Sequence, residues 1–330
     1  METIRVEDLS KSYGKNQALS EVGFAARPGT VLGLLGPNGS GKTTTVRILS
    51  TLLRADSGRA WIDGHDVAEQ PHLVRAAIGL TGQYAAVDDD LSGRHNLELI
   101  GRLLGLPRAA ARGRADELIQ RFQLEDAASR MAKTYSGGMR RRLDVAASLV
   151  GRPSVLFLDE PTTGLDPRSR TEVWTLVREL VADGVTVLLT TQYLEEADHL
   201  ANDLVVLDQG KVVATGTPTE LKARVGGLAL QVRIEDPSRC AQAAAYVAAA
   251  TGAEATVDED TGLIGAPAGD TAALRQLTEQ LEAAGISFFE LGLRQATLDE
   301  VFLELTGHRS RQTADAPDAV TAGAAERNAR

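Results

Sequence analysis

Cysteine is nearly missing: Cys240 stands alone in 330 residues. One thiol closes no intrachain disulfide and builds no multi-thiolate metal site, which suits a reducing cytosol. Cys240 itself reads as a small, partly buried apolar residue. Histidine is sparse as well. His65, His72, His95, His199 and His308 fall at no metal-ligand spacing, so no metal site is expected on them. No run of about 18 apolar residues occurs, which argues against a membrane-spanning helix. The acidic opening METIRVEDLS also lacks the charged-then-apolar layout of a secretion signal. Basic residues are outnumbered, 35 Lys and Arg against 45 Asp and Glu, for a net charge of −10. A phosphate-neutralising surface shows as an excess of Lys and Arg, so nucleic acid is not an expected partner. What remains is ordinary: 43% hydrophobic and 24% charged residues can bury a sizeable core. The length suits about two domains of roughly 100–200 residues each.

The first thirty residues alternate short apolar and polar stretches around turn signals, as antiparallel strands do. VLGLLGPNGSGKTTTVRILSTLL is an apolar run that breaks at glycines into a helix. Leucines at 97, 99, 103, 104, 106, 118 and 124 give residues 91–125 a helical spacing. VLFLDEP and TVLLTTQ are apolar on both faces, as strands of a buried parallel sheet must be, and the helix TEVWTLVRELVADG lies between them. DLVVLDQGKVVATG reads as a closing hairpin. Residues 1–220 are thus expected to form one α/β domain. Residues 221–307 follow a β-α-β-β-α-β order plus a final helix, a split-βαβ accessory domain. Its markers are Gly252 and Gly285 past two helix ends, a turn near Asp260–Gly262, and Asp270 as an N-cap. Residues 308–330 lack any apolar period and are expected to be disordered.

The strongest motif is Gly36-Pro37-Asn38-Gly39-Ser40-Gly41-Lys42-Thr43, which fits G-x-x-x-x-G-K-[ST] between an apolar strand and a helix. Its glycines let successive backbone N–H groups face phosphate oxygens, and the helix N-terminus adds a favourable dipole. Lys42 can reach the β- and γ-phosphates, and Thr43 can place its hydroxyl on Mg²⁺. The strand Val155–Leu158 ends in Asp159-Glu160. At the C-terminal end of a parallel strand, Asp159 can bind Mg²⁺ through water, and Glu160 can act as general base on an attacking water. Together these motifs specify hydrolysis of a nucleoside triphosphate. Ser136, placed to cap the helix that follows it, precedes Gly137 and Gly138, whose uncovered N–H groups offer a second anion site.

The series GPNGSGKTT (which adds Thr44), TGQ at 81–83, YSGGM, VLFLDEP and TTGLD at 162–166 resembles the ATP-binding subunits of ABC transporters. More narrowly, STLLRADSG, TGQYAAVDD, TYSGGMRRRLD, DEPTTGLDPRSR, LLTTQYLEEAD and TLDEVFLELTGH resemble the daunorubicin-resistance (DrrA-type) branch of drug-exporter ATPases, to about residue 308. The resemblance implies a P-loop ABC ATPase domain with a mixed sheet and a helical subdomain, binding ATP and Mg²⁺. It implies that Tyr13 stacks on adenine, that Gln83 touches Mg²⁺ and faces the membrane partner, and that Asp166 is the acid at the subunit interface. Met139 departs from the glutamine usual in the signature, but Ser136, Gly137 and Gly138 remain. Gln192 stands where many members place a switch histidine. Its amide can donate a hydrogen bond to a γ-phosphate but carries neither proton nor charge.

The same resemblance implies a homodimer in which Lys42 and Thr43 of one copy and Ser136–Gly138 of the other hold each ATP. It also implies a separately encoded ABC-2-type integral membrane permease, a peripheral location on the cytoplasmic face of the membrane, and export of a hydrophobic drug or antibiotic that this chain does not itself touch. Residues 91–125 with Gln83–Asp90 are the expected permease surface, and the final helix is expected either to dock the small domain on the partner ATPase or to pack as an ordinary amphipathic helix on its own domain. The rival readings are an ATPase of a lipid, polysaccharide or ion ABC-2 exporter, and a soluble ABC ATPase without transport. The second is disfavoured by a single phosphate loop and an acidic chain.

Overall fold

Every residue of the strands Val31–Leu35, Val155–Asp159 and Thr186–Thr191 is buried, which is why aliphatic side chains dominate them. In this computed structural model, which describes residues 2–82, 87–224, 228–258, 261–269, 271–295 and 297–306, they form the centre of a six-stranded sheet. Its order is Lys211–Gly216, Asp203–Asp208, Val31–Leu35, Thr186–Thr191, Val155–Asp159, Ile78–Thr81. All pairings are parallel except the edge hairpin of 203–216. Alternation of side chains divides these strands between two cores. Leu156, Leu158, Val187 and Leu189 enter one, and Val155, Phe157, Leu188, Leu32 and Leu34 enter the other.

The second of these cores is closed by the helix Lys42–Leu49 and by an antiparallel sheet ordered Asn16–Ala26, Ile4–Tyr13, Ser57–Ile62, His65–Asp66. The first is closed by the helices Gly93–Leu103, Arg108–Arg121, Gly137–Ser148 and Pro167–Ala182, through Leu97, Leu118, Leu143 and Trp174 among others. The leucines expected to mark one helical face divide here. Leu97, Leu118 and Leu124 are buried, whereas Leu99, Leu103 and Leu104 are exposed. At 3.6 residues per turn, Leu99 lies two positions round the helix from Leu97 and cannot share its inward face.

A third sheet, ordered Thr256–Asp258, Leu263–Ala268, Leu228–Ile234, Phe288–Gln295, is antiparallel throughout. It packs with the helices Cys240–Thr251 and Ala272–Ala283 on a separate core that includes Leu230, Val232, Ile264, Leu277 and Leu281. Along the chain the strands and longer helices of this part run β-α-β-β-α-β. Half-buried Cys240 borders that core. Gly252, at φ 68°, ends the first helix, and the Gly262 N–H donates to Asp258 O at 2.8 Å to close the turn. Asp260 and Asp270 lie outside the described residues, and Thr271 holds the N-cap position of the second helix.

The final helix, Leu298–Thr306, leaves this small sheet. Leu298 and Val301 enter an apolar cluster with Leu35, Ala197, Leu204, Val206 and Leu221, so the helix packs on the nucleotide-loop sheet of its own chain. Two reciprocal caps prepare the contact. Thr217 and Glu220 exchange backbone-to-side-chain hydrogen bonds at 2.9 and 3.2 Å, and Thr297 and Glu300 do so at 2.9 and 3.3 Å. The helices so capped, Pro218–Arg224 and Leu298–Thr306, lie against each other. We retain a boundary near residue 220 as a proposal resting on the separate cores, with the final helix crossing back over it.

Candidate functional site

The loop Gly36–Gly41 leaves a buried strand and enters a helix, so its conformation is fixed at both ends. Gly41 has φ 108°, and a Cβ there would come within 2.8 Å of Ala18 O; at Gly36 a Cβ would come within 2.3 Å of Leu207 O. Both positions require glycine. Lys42, 4% exposed, donates to Gly36 O at 2.7 Å and Pro37 O at 3.1 Å, with Glu160 Oε1 3.7 Å away. Burial lowers its ammonium pKa, while the charges of Glu160 and Asp159 oppose that shift. Ser40 Oγ is buried and has no hydrogen-bond partner, a polar atom aimed into the loop that anionic oxygens would satisfy.

Asp159 ends its strand beside Thr190 of the neighbouring parallel strand. Thr190 Oγ donates to the Asp159 carboxylate and accepts the Glu160 N–H at 3.1 Å, so one buried hydroxyl fixes both acids. Glu160 has φ 50°, a left-handed conformation that costs a non-glycine residue free energy and is common where a side chain must be aimed. Its carboxylate lines a cleft of about 690 Å³ together with Tyr13, Asn38, Lys42, Thr43 and Thr44. Asn16, Gln17 and Gln209 also line this cleft, and nothing in their spacing announced it. Tyr13 is 47% exposed, with its ring 6.0 Å from Lys11 Nζ.

Ser136 caps the helix Gly137–Ser148 as expected, its Oγ accepting the Met139 N–H at 3.3 Å. Gly137 is exposed and Gly138 half-buried, and Ser136, Gly137 and Gly138 do not line the cleft of Lys42. Gly137 instead shares a second cleft, of about 660 Å³, with Glu160, Arg141 and Asp144. Asp166 is exposed and caps the helix Pro167–Ala182, accepting from Ser169 N at 3.0 Å and Ser169 Oγ at 2.6 Å. Those two bonds lower its carboxyl pKa. Gln192 is half-buried just past the strand Thr186–Thr191, and Gln83 lies outside the described residues.

A parallel sheet whose strand ends carry a glycine-rich phosphate loop and adjoining acids defines a P-loop nucleoside triphosphatase. The comparisons narrow the class. Residues 19–163 match the family model described as ABC transporter. The chain is 54% identical over 94% of its length, and over 97% of the relative's, to the daunorubicin resistance ATP-binding protein DrrA2 of Streptomyces coeruleorubidus. It is 49% identical to the daunorubicin/doxorubicin resistance ATP-binding protein DrrA of Streptomyces peucetius, with 92% of each chain covered. A dimeric ATP-binding cassette in a post-hydrolysis state, bound to ADP and phosphate, superposes with a TM-score of 0.59 at 25% identity, covering 65% of this chain and 98% of that one. This chain belongs to the ABC transporter family as an ATP-binding subunit and is an ATPase.

Proposed function

We propose that the chain is the motor of an exporter for a hydrophobic drug or antibiotic, working as a homodimer beneath a separate ABC-2-type permease on the cytoplasmic face of the membrane. The observation that carries the mechanism is the division of anion-binding groups. Lys42, Thr43 and Glu160 share one cleft, while Ser136–Gly138 lie outside it. A second copy supplies the missing half: its signature N–H groups meet the γ-phosphate held by the first copy's loop. Binding of ATP then draws the two chains together, and loss of the γ-phosphate releases them.

Within each site Lys42 holds the phosphates, Tyr13 takes the adenine face, and Glu160 accepts the proton of the attacking water. Gln192 donates to the γ-phosphate, and Asp166 meets the opposing copy. Thr43, Asp159 and Gln83 are the residues that would hold Mg²⁺, which supplies charge neutralisation on the phosphates. The orphaned Ser40 hydroxyl and the buried Asp159 carboxylate suit a phosphate–cation pair. Among the described residues no helix is long and apolar enough to cross a membrane. Exposed Leu99, Leu103 and Leu104, beside a groove lined by Ile100 and Leu106, offer an apolar face for that permease. The resistance named for the relatives supports a drug as cargo.

The decisive experiment is Glu160→Gln. It is expected to bind ATP, lower hydrolysis by about 10²–10⁴, and accumulate as a dimer with ATP on gel filtration. A monomer under ATP and Mg²⁺ would sink the two-copy mechanism.

A further inference from the structure

The helices Gly93–Leu103 and Arg108–Arg121 form a hairpin whose tip the nucleotide chemistry does not use. The inner side of the tip is anchored. Half-buried Ile100 and Leu106 pack on the helical core, and the Leu106 N–H donates to Gly101 O at 2.9 Å. Buried Ala111 lies so close to Gly101 that a Cβ there would come within 3.0 Å of the Ala111 Cβ. Gly105, at φ 87°, turns the chain between the helices. With these side chains turned inward, Leu103 and Leu104 are left outside at 77% and 57% exposure. Leu99, one turn before Leu103, shares its outer face at 43% exposure. Leu104 borders the groove offered to the permease, whereas Leu99 and Leu103 do not line it.

The tip also differs in charge from the chain that carries it. In a protein of net charge −10, no acid occurs between Glu98 and Asp116. Exposed Arg102, Arg108 and Arg112 fall in that interval, and their guanidinium groups make no hydrogen bond or ion pair among the described residues. The neighbouring arginines are already matched: Arg94 pairs with Asp116, and Arg114 with Glu117 at 2.5 Å. Free cations around an exposed leucine fit an anionic bilayer surface. Headgroups attract the guanidinium groups, and the acyl boundary just beneath them takes up the leucine side chain. A nucleic-acid backbone would satisfy the charges and leave Leu103 in water. We propose that Leu103 with Arg102, Arg108 and Arg112 is a membrane-contact site that binds anionic lipid headgroups directly, outside the permease groove. The proposal rests on the membrane-side reading given above and adds lipid as a second ligand there. Such a contact holds the motor at the bilayer, so that its encounter with a permease takes place in two dimensions.

The test mixes the full chain with vesicles of phosphatidylcholine alone, or of phosphatidylcholine and phosphatidylglycerol in equal parts, and recovers it by flotation. The chain is expected to float with the anionic vesicles only and to be released as salt screens the charges. Arg102→Gln/Arg108→Gln/Arg112→Gln is expected to bind about 100-fold more weakly, at about fivefold for each arginine near an anionic surface. Leu103→Ser is expected to weaken binding about 10-fold. Arg102→Lys/Arg108→Lys/Arg112→Lys keeps the charges and is expected to bind as the parent does, because a headgroup layer reads charge rather than a bidentate fork. All these positions are exposed, so each variant is expected to keep the parental thermal midpoint. Flotation with both kinds of vesicle alike, flotation with neither, or parental binding by the glutamine or the serine variant overturns the proposal. So does weak binding by the lysine variant, which would assign the arginines to carboxylates of a protein partner. Co-purification from native membranes separates this failure from that of the underlying reading. A chain recovered with a polytopic membrane protein but with no vesicle loses only the lipid site; a chain recovered with neither loses the membrane-side reading as well.

Discussion

The two anion-binding ends of this chain are built on opposite plans. At the phosphate loop, Lys42 is 4% exposed and held by two carbonyls, and Thr190 braces the neighbouring acids from below. At the signature loop, Gly137 is exposed and Gly138 half-buried, and one hydroxyl cap fixes the helix start. A pre-formed end binds its ligand with little further ordering; an open end gains its ligand only when another surface arrives. The difference teaches which end captures ATP and which end closes over it.

Two changes test that contrast. Gly41→Ala strikes the closed end, where φ 108° and the nearby Ala18 carbonyl leave no room for a Cβ. It is expected to cost about 1–3 kcal/mol of backbone strain and to abolish binding of a fluorescent ATP analogue. Parental affinity would show that the loop is not pre-formed. Ser136→Ala strikes the open end. It is expected to cost about 1 kcal/mol through the lost cap, leave ATP binding by the monomer intact, and suppress the dimer trapped by Glu160→Gln. Loss of monomer binding instead would place the signature loop in the first capture step.

The mildest test concerns neither end but the final helix behind the first. Arg294 bonds to Glu300 and holds its carboxyl below the ordinary glutamate range. A depressed carboxyl pKa contributes stability that is present above its unfolded value and lost as pH falls through the folded one. Docking of Leu298–Thr306 should therefore hold at neutral pH and loosen below about pH 4, read as faster amide exchange in that helix alone. Equal protection at both pH values would remove Glu300 from the contact.

How much was readable beforehand follows from distance along the chain. Val155–Glu160 could be placed because a run of aliphatics ending in two acids is a buried strand with a functional tip, whatever surrounds it. Gly36–Thr43 was legible for the same reason, since strand, loop and helix are contiguous. The division of Leu97 from Leu99 needed the orientation of a helix that spacing alone does not provide. Thr190 acts on Asp159 and Glu160, far from it in sequence, and no local pattern announces a long-range hydrogen bond. The Thr217–Glu220 and Thr297–Glu300 caps are local T-x-x-E signals that were present to be read. Their meeting across the fold was not.

The final helix has a consequence for synthesis. Leu35, the last residue before the phosphate loop, shares its apolar cluster with Leu298 and Val301. A chain emerging from the ribosome thus presents its phosphate loop early, but the wall behind that loop is completed only when residues near 300 have emerged. At about 5–20 residues per second, many seconds separate the two events. A chain truncated within the small sheet would carry every nucleotide motif and still lack part of their backing, so completeness of translation becomes a condition for a finished ATP site.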